Sequence, residues 1–273
     1  LAVMVFAGSR DEEWPKEAGA AHALEHMLFQ GNERLATQSA IAAEIELLGG
    51  NINAGTSEEF TFFHRIIPYG AIDAGVRSLA SQMVSPLFRS ADVEKEMKNV
   101  VQEIRMYHDM PETFCHFQLE EMVYGTHPLG KSVIGTEEAV LGLSSEDFRR
   151  LHASFYRPQN YVFIVIGNTT LAEAEAVFNR YDFGVAAGGR NIRTKEDGVP
   201  HGERRVFERG IKQANVSFGA MIGNANDPSV KALAFFKTML SGGMAFPLFR
   251  EVRDKLGLCY KVAADITRGT DCG

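Results

Sequence analysis

Apolar runs of strand length alternate with segments of helical period along most of this chain. Residues 2–9 are almost wholly apolar and are followed by a polar turn, the pattern of a buried strand. The stretch GAAHALEHMLFQG, residues 19–31, lies between glycine stops and predicts a helix; a second helix is expected over about 37–48. The glycine pair 49–50 ends it. NINAGTSEEFTFFHRII then alternates polar and apolar residues in the manner of one or two half-buried antiparallel strands. Helical periodicity returns over about 71–84, 91–109, 112–123 and 145–155, interrupted by SPLF and by Pro111. NYVFIVIG reads as a buried strand, and about 171–180 as a helix.

Periodicity fails over residues 184–200, which are rich in glycine and charge, the composition of a linker. Beyond it, strands are expected near 203–209 and 214–222, helices near 228–240 and 245–256, and a further strand over 259–267. This order repeats the opening of the chain, with TMLSGG standing where HMLFQG stood, and points to a weak internal duplication. The fold class is therefore α+β, with two homologous domains that enclose a cleft, each a mostly antiparallel sheet packed with helices. Residues 1–183 form the first domain, 184–200 the linker and 201–273 the start of the second. By comparison with the first domain, roughly a hundred residues of the second are expected beyond Gly273. Leu1 reads as lying inside a strand, so residues are expected before it as well, and with them any targeting signal.

The helix at 19–31 carries the chemistry. At about 100° per residue, His22, Glu25 and His26 share one narrow arc, while Leu24, Met27 and Leu28 take the opposite side. Two imidazoles one turn apart can direct nitrogens at one zinc ion, and Glu25 beside them suits the work of a general base on a zinc-bound water. A catalytic zinc takes a third protein ligand. In ADVEKEMKNVVQEIRMYHD, Val93, Met97, Val100, Val101 and Ile104 make an apolar stripe, and Glu96 and Glu103 fall along its edge. One of these two can bind the ion while the other supports a ligand from behind.

Composition narrows the partners. The 273 residues are 45% hydrophobic and 23% charged, ordinary for a globular chain, and carry a formal charge of −7. That balance speaks against nucleic acid, which needs clustered Lys and Arg, and would suit a basic peptide. Cys115, Cys259 and Cys272 are too few and scattered for a disulfide framework. The apolar runs are strand-sized, far short of the roughly 20 residues that span a bilayer, so no membrane anchor is expected; the compartment stays open.

HALEHMLFQG, GGNINAGTSEEFTFF, EKEMKNVVQEI, the HPLG and IGT loop and FREVRDKLGLCY together resemble the inverzincin peptidases. This is the pitrilysin family, which includes insulin-degrading enzyme and the mitochondrial processing peptidases. The resemblance covers essentially residues 1–267 and implies one zinc ion per chain on His22, His26 and Glu103, the last 77 residues after the second histidine. It implies Glu25 as base, Glu96 as a support that does not touch the ion, and an edge strand on which Asn53 and Ala54 meet an extended substrate. It further implies that Arg253 and Tyr260 reach from the second domain to the oxyanion of a peptide substrate. Where the repeat would place the metal motif the second domain has Ala234, Lys237 and Thr238, so it is expected to bind no metal. The expected activity is zinc-dependent endopeptidase action on extended or presequence-like peptides, by a monomer, a homodimer or a heterodimer with a related subunit. The alternatives are a non-catalytic peptide-binding scaffold subunit and a metal-dependent hydrolase of small molecules.

Overall fold

The structure is a computed structural model that describes residues 1–185, 188–193, 195 and 204–273. The chain opens with β1 (Ala2–Val5), α1 (Ala20–Met27) and α2 (Gln38–Glu46), followed by the hairpin β2 (Asn51–Thr56) and β3 (Thr61–Ile66). Helices α3 (Ile72–Val84), α4 (Ser90–Asp109), α5 (Pro111–Tyr124), α6 (Glu137–Gly142) and α7 (Ser145–Phe155) lead to β4 (Tyr161–Ile164) and α8 (Leu171–Phe178). Farther on lies α9 (Pro228–Ser241). The short helix α6 was not apparent from periodicity, because six residues span too few turns to show it.

The strands form one antiparallel sheet in the order β2-β3-β1-β4, which leaves β2 on an edge. Alternation sends Val3, Val5 and Phe63 to the helix-covered face, where all three are fully buried. Against them pack Leu24, Met27 and Leu28 of α1, Leu79 and Met83 of α3, the α4 stripe and Phe148 of α7. The same core cluster continues through Tyr161 and Val177 to Phe183. The stripe expected on α4 is the one observed: Val93, Met97, Val100, Val101 and Ile104 are all buried. That helix stops at Asp109, and Pro111 supplies the first residue of α5, where its missing N–H costs nothing.

Three local devices fix the placement of α1. Gly19 precedes it with φ of 88°, and a Cβ there would stand 2.6 Å from Ile134 O; across the same crossing, a Cβ on Gly135 would meet Ala18 O at 2.1 Å. Only glycine allows the two backbones to pass so closely. The Glu12 carboxylate accepts the N–H groups of Gly19 and Ala21 at 2.9 and 2.8 Å, so a remote acid caps a helix whose own cap residue has no side chain. At the other end, Gln82 donates to Leu28 O at 3.2 Å and accepts from the buried Arg65, which joins β3, α3 and the C-terminus of α1.

Beyond residue 203 the helix expected near 228–240 is observed as α9, and the expected strands are corrected. Within the described residues, 204–209, 214–222 and 259–267 form no strands; the backbone pairs Ile222 with Gly273 and Ala225 with Gly269, but no ladder develops. A strand needs a partner along its length to satisfy its N–H and C=O groups. These segments instead run along α5, with Phe207 edge-on to Phe114 at 5.1 Å between centroids. Val216 and Phe218 are left 81% and 90% exposed. The helix expected over 245–256 is a π-type helix over Leu248–Lys255. Residue 203 and much of the expected linker, residues 186, 187, 194 and 196–200, lie outside the described residues. Within the rest of it, Arg193 pairs with Asp11 and donates to Glu59 O at 2.7 Å.

A buried charge cluster ties the end of the chain to the β2–β3 turn. The Arg10 guanidinium donates to Glu59 at 2.7 Å, to Thr270 Oγ1 at 3.1 Å and to both carboxylate oxygens of Asp271. Arg10→Met would remove the guanidinium from which both carboxylates accept. The expected loss is about 3–5 kcal/mol in urea unfolding; a loss below about 1 kcal/mol would contradict the burial and pairing described here.

Candidate metal centre

The apolar faces of α1 and α4 pack into the core, so their polar edges meet over a cavity beside β2. His22 Nε2 and His26 Nε2 lie 3.2 Å apart, and Glu103 Oε2 stands 3.7 Å from the first and 3.3 Å from the second. Three donor atoms on a tetrahedral zinc at about 2.1 Å would be separated by about 3.4 Å. The triangle therefore has the dimensions the ion requires. It is also a nitrogen-and-oxygen set of the kind zinc accepts.

Further side chains hold these donor groups in place. His26 Nδ1 lies 2.9 Å from Glu96 Oε1, while Gln30 and Asn99 donate to Glu96 Oε2 at 2.9 and 3.0 Å. With Nδ1–H committed to Glu96, Nε2 is the nitrogen that faces the cluster and the one that sheds its proton to bind a metal. Tyr107, one turn beyond Glu103, hydrogen-bonds its carboxylate. His22 Nδ1 is buried and has no hydrogen-bond partner among the described residues.

The metal-free electrostatics are divided. Burial and the neighbouring His26 charge hold the His22 pKa down to about 4. For His26 burial works downward too, but hydrogen bonds to Glu103 and Glu96 outweigh it and raise the pKa to about 10. Burial raises the Glu25 carboxyl above its usual range, and the hydroxyl of Thr56, which donates to Glu25 Oε2 at 2.6 Å, opposes that rise.

The cavity, about 720 Å³, is lined by His22, Glu25, His26, Glu96 and Glu103 and by residues 52–56 of the edge strand. Ala54 faces the helices. Asn53 faces outward, and its side chain accepts the Ala54 N–H at 2.9 Å. Arg253 and Tyr260 are not brought here: the guanidinium lies 4.8 Å from the Tyr260 ring, Tyr260 is 82% exposed, and neither residue lines the cavity. The segment holding Tyr260 has not joined a sheet, which leaves no strand to carry it across. Gln30, Asn99, Thr56 and Tyr107 were not assigned from sequence. Asn99 and Tyr107 stand three and four residues after the two α4 carboxylates, a signal visible in the spacing.

A second group of donor side chains, His127, Asp271 and Cys272, also comes together. Its chemistry suits a metal poorly. His127 Nδ1 accepts the Leu129 N–H at 3.1 Å, so the proton sits on Nε2 and points at Asp271, which Arg10 already neutralises.

Comparison with known proteins identifies the family. The family model "Insulinase (Peptidase family M16)" matches residues 1–137, and "Peptidase M16 inactive domain" matches residues 142–273. The "Uncharacterized zinc protease YmxG" of Bacillus subtilis is 30% identical over 267 residues, covering 96% of this chain and 63% of the relative. An uncharacterized zinc protease of Mycobacterium tuberculosis is 31% identical, covering 100% of this chain and 63% of the relative. The chain thus spans about 63% of the length of these curated relatives. Among solved structures, a protease from Helicobacter pylori superposes with a TM-score of 0.84 at 20% identity, over 99% of this chain and 67% of that one. Pitrilysin superposes with a TM-score of 0.69 at 20% identity, over 97% of this chain and 29% of that one. The chain belongs to the M16 peptidase family, and its fold is the α+β fold of that family's two-domain proteins.

At pH 7 His26 carries a proton that zinc ligation must remove, whereas His22 is already neutral. Zinc binding is therefore expected to release close to one proton per ion, and affinity to rise with pH from neutrality up to about pH 10. Calorimetry at pH 7 in buffers of different ionisation enthalpy measures this release; binding without it would contradict the assignment of His26.

Proposed function

We propose that this M16-family chain carries the metal site and the general base of a zinc-dependent endopeptidase acting on extended peptides or on unfolded, presequence-like segments. The observation that supports this reading is the convergence of His22, His26 and Glu103 beside Glu25, in a cavity bordered by the free edge of β2. Bound there, zinc would supply Lewis acidity toward the scissile carbonyl and would lower the pKa of a water.

The residues of the chain do the rest. Glu25, with one carboxylate oxygen held by Thr56, has the other to take a proton from the attacking water and pass it to the departing amine. Glu96 keeps the His26 proton on Nδ1. An extended chain laid along β2 would find unpaired backbone groups there, and would displace the Asn53 side chain from the Ala54 N–H. The cavity lining includes Glu25, Glu46, Glu96 and Glu103 and, among the described residues, no Lys or Arg, which favours peptides with basic side chains. A guanidinium and a phenol suit the charge that develops on a carbonyl oxygen, and the role proposed for Arg253 and Tyr260 requires both to reach the cavity.

In the full-length protein, Glu25→Gln is expected to keep zinc and to bind a fluorogenic peptide. Its turnover should fall by about 10²–10⁴. Unchanged turnover would remove Glu25 as the base, and zinc-loaded wild-type protein that binds the peptide without cutting it would favour a scaffold role instead.

A further inference from the structure

The strand proposed to receive the substrate is bonded directly to the proposed base. Thr56, the last residue of β2, stands two positions beyond Ala54 on the same face of the strand, and its hydroxyl donates to Glu25 Oε2 at 2.6 Å. A carboxylate on a helix rotates about several bonds; one short hydrogen bond from a second element removes most of that freedom. It also differentiates the two oxygens, because the one that accepts from Thr56 is the poorer proton acceptor.

Thr56 is itself held from two directions. Its strand pairs with β3 through the register Thr56 to Thr61, and Thr61 is buried with its hydroxyl donating to Ala7 O at 2.9 Å. The turn that follows is fastened by Arg10 and Thr270 to the Glu59 carboxylate and by Arg193 to the Glu59 carbonyl. Gly8 lets β1's exit pass beneath this turn, since a Cβ there would lie 2.2 Å from Ser57 O. The hydroxyl therefore reaches Glu25 from a fixed base rather than from a mobile loop.

We infer that Thr56 is a positioning residue that locks Glu25 in the orientation its proton transfers need, so that the strand offered to the peptide and the base share one rigid unit. The inference rests on the reading of Glu25 as general base. Valine removes the hydroxyl while keeping the β-branched shape, and serine keeps the hydroxyl. A role confined to folding or to strand shape would fall on serine as well, or on KM.

Two measurements test it. In the full-length zinc-loaded protein, Thr56→Val is expected to lower kcat by about tenfold to a hundredfold, with KM and zinc affinity within about threefold of wild type. Thr56→Ser should restore most of the lost kcat. In metal-free protein, Thr56→Val should lower the urea midpoint in the wild-type background but not in Glu25→Leu, where the bond is already gone. A Thr56→Val protein with wild-type kcat, a serine variant as impaired as the valine one, a change confined to KM, or equal midpoint shifts in both backgrounds would each overturn the inference. If the wild-type protein cleaves no peptide, the peptidase reading fails, and the metal-free cycle still decides whether the Thr56–Glu25 bond exists.

Discussion

Two imidazoles and two carboxylates crowd within a few ångströms of each other between α1 and α4, and that concentration of polar groups must be neutralised before the helices can pack. Protein interiors tolerate such groups only when they are paired or hold a cation. Without a metal, His26 takes that part by keeping a proton between Glu96 and Glu103. A divalent ion on His22, His26 and Glu103 would replace the Nε2 proton of His26 and satisfy His22 Nε2 at the same time. The unusual composition of α1, apolar on one side and ionisable on the other, follows from that requirement.

Most of the surrounding fold serves to hold this face in place. The crossing at Gly19 and Gly135 sets where α1 begins, Glu12 fixes its first turn, and Gln82 reaches its last carbonyl. The stripe on α4 brings Glu96 and Glu103 along the rim two turns apart. The β2–β3 hairpin is anchored by Arg10 on its turn and by Arg65 through β3, so the cavity is bounded on three sides by elements with little room to shift. Membership of the M16 peptidase family is what such a site would lead one to expect.

Much of this was legible in the sequence, for identifiable reasons. The helix at α1 and the stripe on α4 follow from 3.6-residue periodicity, and the glycine pair 49–50 marks the turn into β2. Gln30 was hidden because it lies past the end of α1 and its partner Glu96 is 66 residues away; Asn99 and Tyr107 do stand at helical spacing from Glu96 and Glu103, but spacing alone does not separate a bonded side chain from a solvated one. Thr56 was hidden for another reason: its partner lies 31 residues away, and only the packing of β2 under α1 joins them. After residue 203, alternation suggested strands whose formation depends on partners outside each segment, and periodicity cannot report a partner. The same dependence separates Arg253 and Tyr260 from the cavity.

We propose that one zinc ion is held by His22, His26 and Glu103, and X-ray absorption at the zinc edge reads that coordination shell. With one equivalent of zinc, the expected spectrum is a low-coordinate shell of nitrogen and oxygen at about 2.0–2.1 Å with the multiple-scattering pattern of two imidazoles, reduced in His26→Ala. A sulfur shell at about 2.3 Å, or a spectrum without imidazole scattering, would contradict it.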